Sequence, residues 1–169
     1  MITKSTAKMK DQLKDWFSYN HEANERFMEI LTRGEGVPDK PLSLLSHILN
    51  AHQIWLDRIY TTGSTSRKPW QQIERVDLAA TNNEVYQQTG VYLQAERFGM
   101  GLQRPITYSN TQGVRFENTI QEIYMHILFH SAYHRGQIAL LLREQGIDPP
   151  LSDYIFFKRE LQSTTQRSA

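Results

Sequence analysis

The chain of 169 residues has no cysteine. That excludes a disulfide scaffold, a thiolate metal site and a cysteine nucleophile, and it fits a reducing compartment. Charge of one sign is also missing as an excess: 19 basic and 18 acidic residues leave a formal net charge of +1. Proteins that grip nucleic acid usually carry a clear basic surplus, so no nucleic-acid partner is expected. No stretch approaches the roughly 18 uninterrupted apolar residues of a membrane span. The opening Met-Ile-Thr-Lys-Ser-Thr-Ala-Lys lacks the apolar core and small-residue cleavage site of a signal peptide. These absences predict a cytoplasmic protein with no membrane contact. Repeats, low-complexity blocks and a phosphate-binding glycine loop are absent as well. The length suits one domain with a real core, so residues 1–169 read as a single unit.

What the chain does have is helical periodicity. From Ser5 to Arg33, apolar residues recur at steps of three or four (Met9, Leu13, Trp16, Phe17, Phe27, Met28, Leu31). Asn20 and Asn24 interrupt that stripe, either solvated or satisfying polar groups inside a bundle. His21 lies just off it and reads as a surface residue. Gly34, Gly36 and Pro38 are expected to end the helix. A second helix starts near Pro41, its inward face running through Leu44, His47 or Ile48, Ala51, Trp55 and Ile59. His52, five residues beyond His47, is rotated about 140° from it. Residues 61–69 read as a loop. Thr81 and Glu84 have capping-box spacing, which predicts a third helix from there to about Phe98. Ile106–Tyr108 and Val114–Phe116 alternate around Ser109–Gly113, predicting a short β-hairpin or extended excursion. A fourth helix, capped by Asn118 or Thr119, runs to Gly146. Asp153–Leu161 suggests a short terminal helix, and residues 163–169 a frayed tail. The predicted fold is all-α: a four-helix bundle with the hairpin placed before the last long helix.

The chemistry concentrates on that last helix. His126, His130 and His134 recur every four residues, so neighbours share a face about 6 Å apart along the axis. One adjacent pair can converge on a metal ion; all three cannot, because the outer two lie about 12 Å apart. A catalytic zinc-type site needs about three protein ligands and an open position. His130 and His134, with His47 from the second helix, would supply three neutral nitrogens, a set that favours zinc, nickel, copper or iron. Spacing leaves His126/His130 equally open, and His126 could instead sit behind the ligands or line the cavity. Ordinary surface or core histidines are the competing reading. Arg135-Gly136-Gln137 follows the ladder, and the helical glycine reads equally as a point of close packing or as a tolerated glycine. Trp16, Trp55 and Trp70 read as core or cavity wall. Glu122 and Glu84 read as helix-start residues rather than proton carriers.

Three stretches together resemble the DinB/YfiT-like family: Tyr19-Asn-His-Glu-Ala-Asn-Glu-Arg26, Leu45-Ser-His-Ile-Leu-Asn-Ala-His-Gln-Ile-Trp55, and His126-Ile-Leu-Phe-His-Ser-Ala-Tyr-His-Arg-Gly-Gln-Ile138. The resemblance spans most of residues 5–160, and its most specific part is the His-Arg-Gly-Gln run. It implies a bundle, often a homodimer, holding a divalent metal through His47, His130 and His134, with His126 outside the ligand set. It further implies a thiol S-transferase or isomerase using a low-molecular-weight thiol, or a metal-dependent hydrolase, acting on a small molecule with zinc or nickel. In a cysteine-free chain any such thiol would arrive as cosubstrate. A non-catalytic metal- or ligand-binding bundle is the alternative.

Overall fold

The computed structural model describes residues 4–33, 39–60, 67–94, 101–110 and 112–167. Along them run α1 (Lys4–Thr32), α2 (Asp39–Tyr60), a 3₁₀ turn (Arg75–Asp77), α3 (Leu78–Gln94), β1 (Pro105–Ser109), β2 (Arg115–Thr119), α4 (Ile120–Glu144) and α5 (Tyr154–Arg167). The predicted helical bundle with a hairpin before the last long helix is therefore what forms. No helix among the described residues is long and apolar enough to cross a membrane.

Contacts between side chains give the directions. Asn24 bonds Asn82 and His21 bonds Asn83, so α1 and α3 run antiparallel. His47 faces His130 and Tyr60 faces Tyr124, so α2 and α4 are antiparallel too. Gln53 meets Gln88 and His52 meets Thr89, while Ser46, earlier on α2, receives a hydrogen bond from Ile73 N ahead of α3. Thus α2 and α3 are parallel. Consecutive parallel helices need a long crossover. The segment after α2 supplies it, and its described part, 67–74, returns to the N-terminal half of α2. Leu13, Phe17, Phe27 and Leu31 of α1, Leu45, Ile48, Leu49 and Leu56 of α2, and Ile120, Tyr124, Ile138 and Leu142 of α4 form the core between them.

The hairpin pairs β1 with β2 antiparallel, Tyr108 opposite Phe116. It feeds directly into α4, where Thr119 Oγ1 accepts from Glu122 N (3.2 Å) and Glu122 Oε2 accepts from Thr119 N (2.7 Å). Both orphan donors of the first turn are satisfied by this capping box. At the other end Gly146 adopts φ +72°, and Ile147 N donates back to Leu142 O, a glycine-type stop.

Three expectations need correction. Helix α3 begins at Leu78, straight out of the 3₁₀ turn; the Thr81 hydroxyl donates to Asp77 O (2.9 Å) inside the helix, and Glu84 is mid-helix and exposed. Thr81 and Glu84 are therefore no capping box. The tail is not frayed from residue 163. Helix α5 continues to Arg167, with the Ser163 hydroxyl donating to Arg159 O and α5 pinned to α1 by Lys158–Asp15 (2.6 Å), Arg26–Glu160 and Phe157 against Tyr19. His52 does not point away from the core. Residues Leu44 to His52 are all buried, because α2 is covered on nearly every side. Gly34, Gly36, Pro38, 61–66, 95–100, 111 and 168–169 lie outside the described residues.

His52 is 3% exposed and stacks on Phe17 at 5.5 Å. The Thr89 hydroxyl donates to Val85 O, so its oxygen accepts from His52 Nε2–H (3.0 Å); His52 Nδ1 has no partner among the described residues. Burial pushes this imidazole from 6.5 down to about 3. The unfolded chain takes up the proton first as pH falls, so the stability His52 contributes is fully present above pH 6.5 and drains below it, by up to about 1.4 kcal/mol per unit. Urea unfolding between pH 7.5 and 4.5 should show wild type losing stability more steeply than His52→Leu by about 1 kcal/mol per unit. Equal slopes would contradict a buried neutral His52.

Candidate metal centre

Antiparallel packing of α4 on α2 sends His47 into the step between His130 and His134. Its ring centroid lies 4.8 Å from each, and theirs lie 4.4 Å apart. One nitrogen from each ring can be chosen so that all lie within 4.8 Å of one another. His126 is not part of this group. Its ring is 5.4 Å from His130 and leans edge-on against Trp55 at 5.0 Å. Of the two pairs that helical spacing left open, His130/His134 is the one grouped with His47.

Neighbouring groups orient the rings. Pro69 O can only accept, so His47 Nδ1 (2.9 Å away) carries the proton and Nε2 carries a lone pair. The same logic applies where Gln137 Oε1 meets His134 Nδ1 at 2.8 Å, one helical turn on. His47 Nε2 then sits 3.1 Å from His130 Nε2. With His47's lone pair pointing at it, that contact is satisfied by a proton on His130 Nε2 or by a shared cation. Tetrahedral zinc with bonds of about 2.0–2.1 Å separates its nitrogens by roughly 3.3 Å. The His47–His130 pair at 3.1 Å already matches that spacing, and nitrogens as far apart as 4.8 Å would close by up to about 1.5 Å through ring rotation to hold one ion.

Burial keeps two of the donors, His130 and His47, neutral. It lowers His130 to about 3, helped by the neighbouring His134, His47 and His126. His47 is lowered chiefly by burial, against the pull of the Pro69 carbonyl, with His134 adding to the fall. Neutral nitrogens are the form a metal requires.

The crossover holds the lid of the site. Asn50 Nδ2 donates to Gln71 O (2.6 Å) and Ile73 N to Ser46 Oγ (3.1 Å), tying 71–73 to α2 and fixing Pro69 over His47. Trp70 is 55% exposed and lies flat on His47, 3.8 Å between centroids and 3° between planes. It is a cover rather than core. On the opposite face of α4, Arg135 is buried and donates to Asn20 Oδ1 (2.6 Å) and Asn24 Oδ1 (2.9 Å). Both asparagines therefore serve polar groups inside the bundle. His21 is no free surface residue, since it stacks on Tyr86 at 4.4 Å. Gly136 is exposed and a Cβ there would meet nothing within 4 Å, so close packing does not explain it. Of these partners, Gln137 was legible as the neighbour one turn from His134. Pro69 was not, because no local pattern shows where a crossover returns.

The geometry defines a class: a helical bundle whose second and fourth long helices pool three imidazoles that could hold a metal ion. The sequence profile of the DinB family matches residues 40–167, and the chain belongs to that family. Protein DinB of Bacillus subtilis (strain 168) is 25% identical over 118 residues, covering 66% of this chain and 67% of its own. The crystal structure of a DinB-like protein from Bacillus cereus ATCC 10987 aligns with a TM-score of 0.57 at 18% identity, over 79% of this chain and 90% of that one. That second likeness bears on the fold alone.

Nitrogen-15 correlation spectra of metal-free protein should show His47 and His134 as Nδ1–H tautomers at pH 7, with His130 uncharged down to pH 5. A His130 ring that titrates near its ordinary 6.5 would contradict this electrostatic picture.

Proposed function

We propose that the protein is a cytoplasmic, divalent-metal-dependent enzyme that activates a small nucleophile, a low-molecular-weight thiol or water, against a small-molecule electrophile. One observation carries the reading: His47, His130 and His134 converge while Pro69 and Gln137 hold the opposite ring edges of His47 and His134. These three residues are the proposed ligands, and zinc or nickel suits an all-imidazole set. A cation held there supplies Lewis acidity, which brings the pKa of water or a thiol toward neutrality at the position the protein leaves open. The chain's own part is orientation and shielding. Pro69 and Gln137 fix ring tautomers, Trp70 shields one face of His47 from water, and burial keeps protons off His130. Family membership supports the thiol reading, and in a chain without cysteine such a thiol would arrive as cosubstrate. A bundle that binds metal without turnover is the competing reading.

Purified protein should hold about one equivalent of zinc or nickel, and His130→Ala should lower both metal affinity and turnover of a model electrophile by at least about a hundredfold. Turnover that needs a glutathione- or bacillithiol-like thiol assigns the transferase; turnover in water alone assigns the hydrolase. Metal retention with no turnover would leave the binding bundle, and full activity in His130→Ala would remove the mechanism.

We also propose a homodimer through α4. Phe129 (65% exposed), Tyr133 (66%) and Leu140 (57%) follow one another at helical spacing, with exposed Gly136 between them. The stripe is uncharged, so a second copy matches it, and the glycine lets a partner helix approach closely. Sedimentation should find a dimer at micromolar concentration that Tyr133→Lys with Leu140→Glu converts to monomer. A monomeric wild type would refute the pairing.

A further inference from the structure

Beside the three-histidine centre lies a cation that the proposed reaction has not used. Arg58 sits half-buried near the end of α2. Its guanidinium carbon lies 4.3 Å from the centroid of the Trp55 ring and 4.7 Å from that of Tyr108 on β1. Rings of this kind favour a cation by their quadrupole but accept none of its hydrogen bonds in the ring plane. A guanidinium carries five N–H donors. Among the described residues Arg58 has no ion pair and no hydrogen-bond acceptor, and none of its nitrogens is buried without a partner, so its donors face solvent, where a ligand can reach them.

The nearby carboxylates are committed elsewhere. Glu122, one turn before His126, is held by Thr119 N and Asn118 Nδ2 in the cap of α4. Glu117 pairs with Thr107 across the hairpin, on the strand face opposite Tyr108. Asp57 accepts from Gln53 Nε2 at 2.8 Å. The Tyr108 hydroxyl donates to Asn118 Oδ1 at 2.7 Å, which fixes that ring in place beside the guanidinium. The fork is thus built and held without an anion to receive.

Its position relates it to the centre. From His130 the contacts run to His126 (5.4 Å), from His126 to Trp55 (5.0 Å), and from Trp55 to Arg58 (4.3 Å). His126 is near enough to Arg58 that the guanidinium charge, after burial, helps push its imidazole down. We propose that Arg58 binds a carboxylate of the small-molecule substrate, several bonds away from the atom that reacts at His47, His130 and His134, with Trp55 and His126 flanking the stretch between. The inference rests on the enzymatic reading above and deepens it: it names an anionic substrate and the residue that selects it. One positive charge matches a monoanion. Arg104, the cation at the same end of α2, is engaged with Ile59 O at 3.2 Å, which argues for a carboxylate over a phosphate dianion.

The test titrates metal-free protein with benzoate, following the ring signals of His126 and Trp55. Benzoate should shift them saturably, benzamide should not, and Arg58→Gln should weaken benzoate binding about tenfold or more, with Arg58→Lys between. Benzamide binding as tightly as benzoate, unchanged binding in Arg58→Gln, or inorganic phosphate outcompeting benzoate at this site would each overturn the proposal. Nickel titration of the same proteins separates the two levels of argument. Arg58→Gln should load metal as wild type does. A wild type that binds benzoate through Arg58 but takes up no nickel would defeat the metal-enzyme reading and leave the anion site standing.

Discussion

Two ring nitrogens that both present lone pairs do not approach to 3.1 Å unless something positive lies between them. His47 and His130 meet at that distance across the seam of α2 and α4. His47 holds its proton on Nδ1, donating it as a hydrogen bond to the Pro69 carbonyl, so only a proton on His130 or a cation can close the contact. Burial makes the doubly protonated form of His130 expensive, and His134 stands alongside with its own Nε2 available. On the proposed reading a metal ion would take the place of that proton, and metal uptake and ring tautomer would be linked.

The rest of the bundle serves that contact. Parallel α2 and α3 force a long crossover, and its return carries Pro69 and Trp70 onto His47. Arg135 ties α4 to α1 through Asn20 and Asn24 from the side away from the centre, so the ladder helix is held from both faces. The hairpin starts α4 through the Thr119–Glu122 cap and, through Tyr108, builds the wall near His126 and Arg58. A position that looks peripheral in the sequence thus bears on what the site can receive.

Periodicity was enough for the long helices because each carries apolar residues at steps of three or four, and the four-residue histidine ladder was visible by inspection. Choosing His130/His134 over His126/His130 needed the packing angle of α2, which spacing does not contain; the family resemblance pointed the same way. Where the reading failed, a local rule met a non-local fact. Thr81 and Glu84 have the right spacing for a cap, but Arg75–Asp77 had already begun the turn. A helical wheel turns His52 outward only if α2 has one buried side, and it is buried on nearly all of them. The polar tail from Ser163 shows no stripe, yet the ion pairs at Asp15 and Arg26 dock α5 on α1 and let the helix continue. Arg58 drew no notice because a lone arginine on a helix is ordinary until a strand distant in sequence lays Tyr108 against it.

X-ray absorption spectroscopy on nickel- or zinc-loaded protein tests the centre most directly. The account predicts a single ion whose nearest neighbours include three imidazole nitrogens at about 2.0–2.1 Å, falling to two in His47→Ala. A shell of oxygens alone, or one that His47→Ala leaves unchanged, would contradict it.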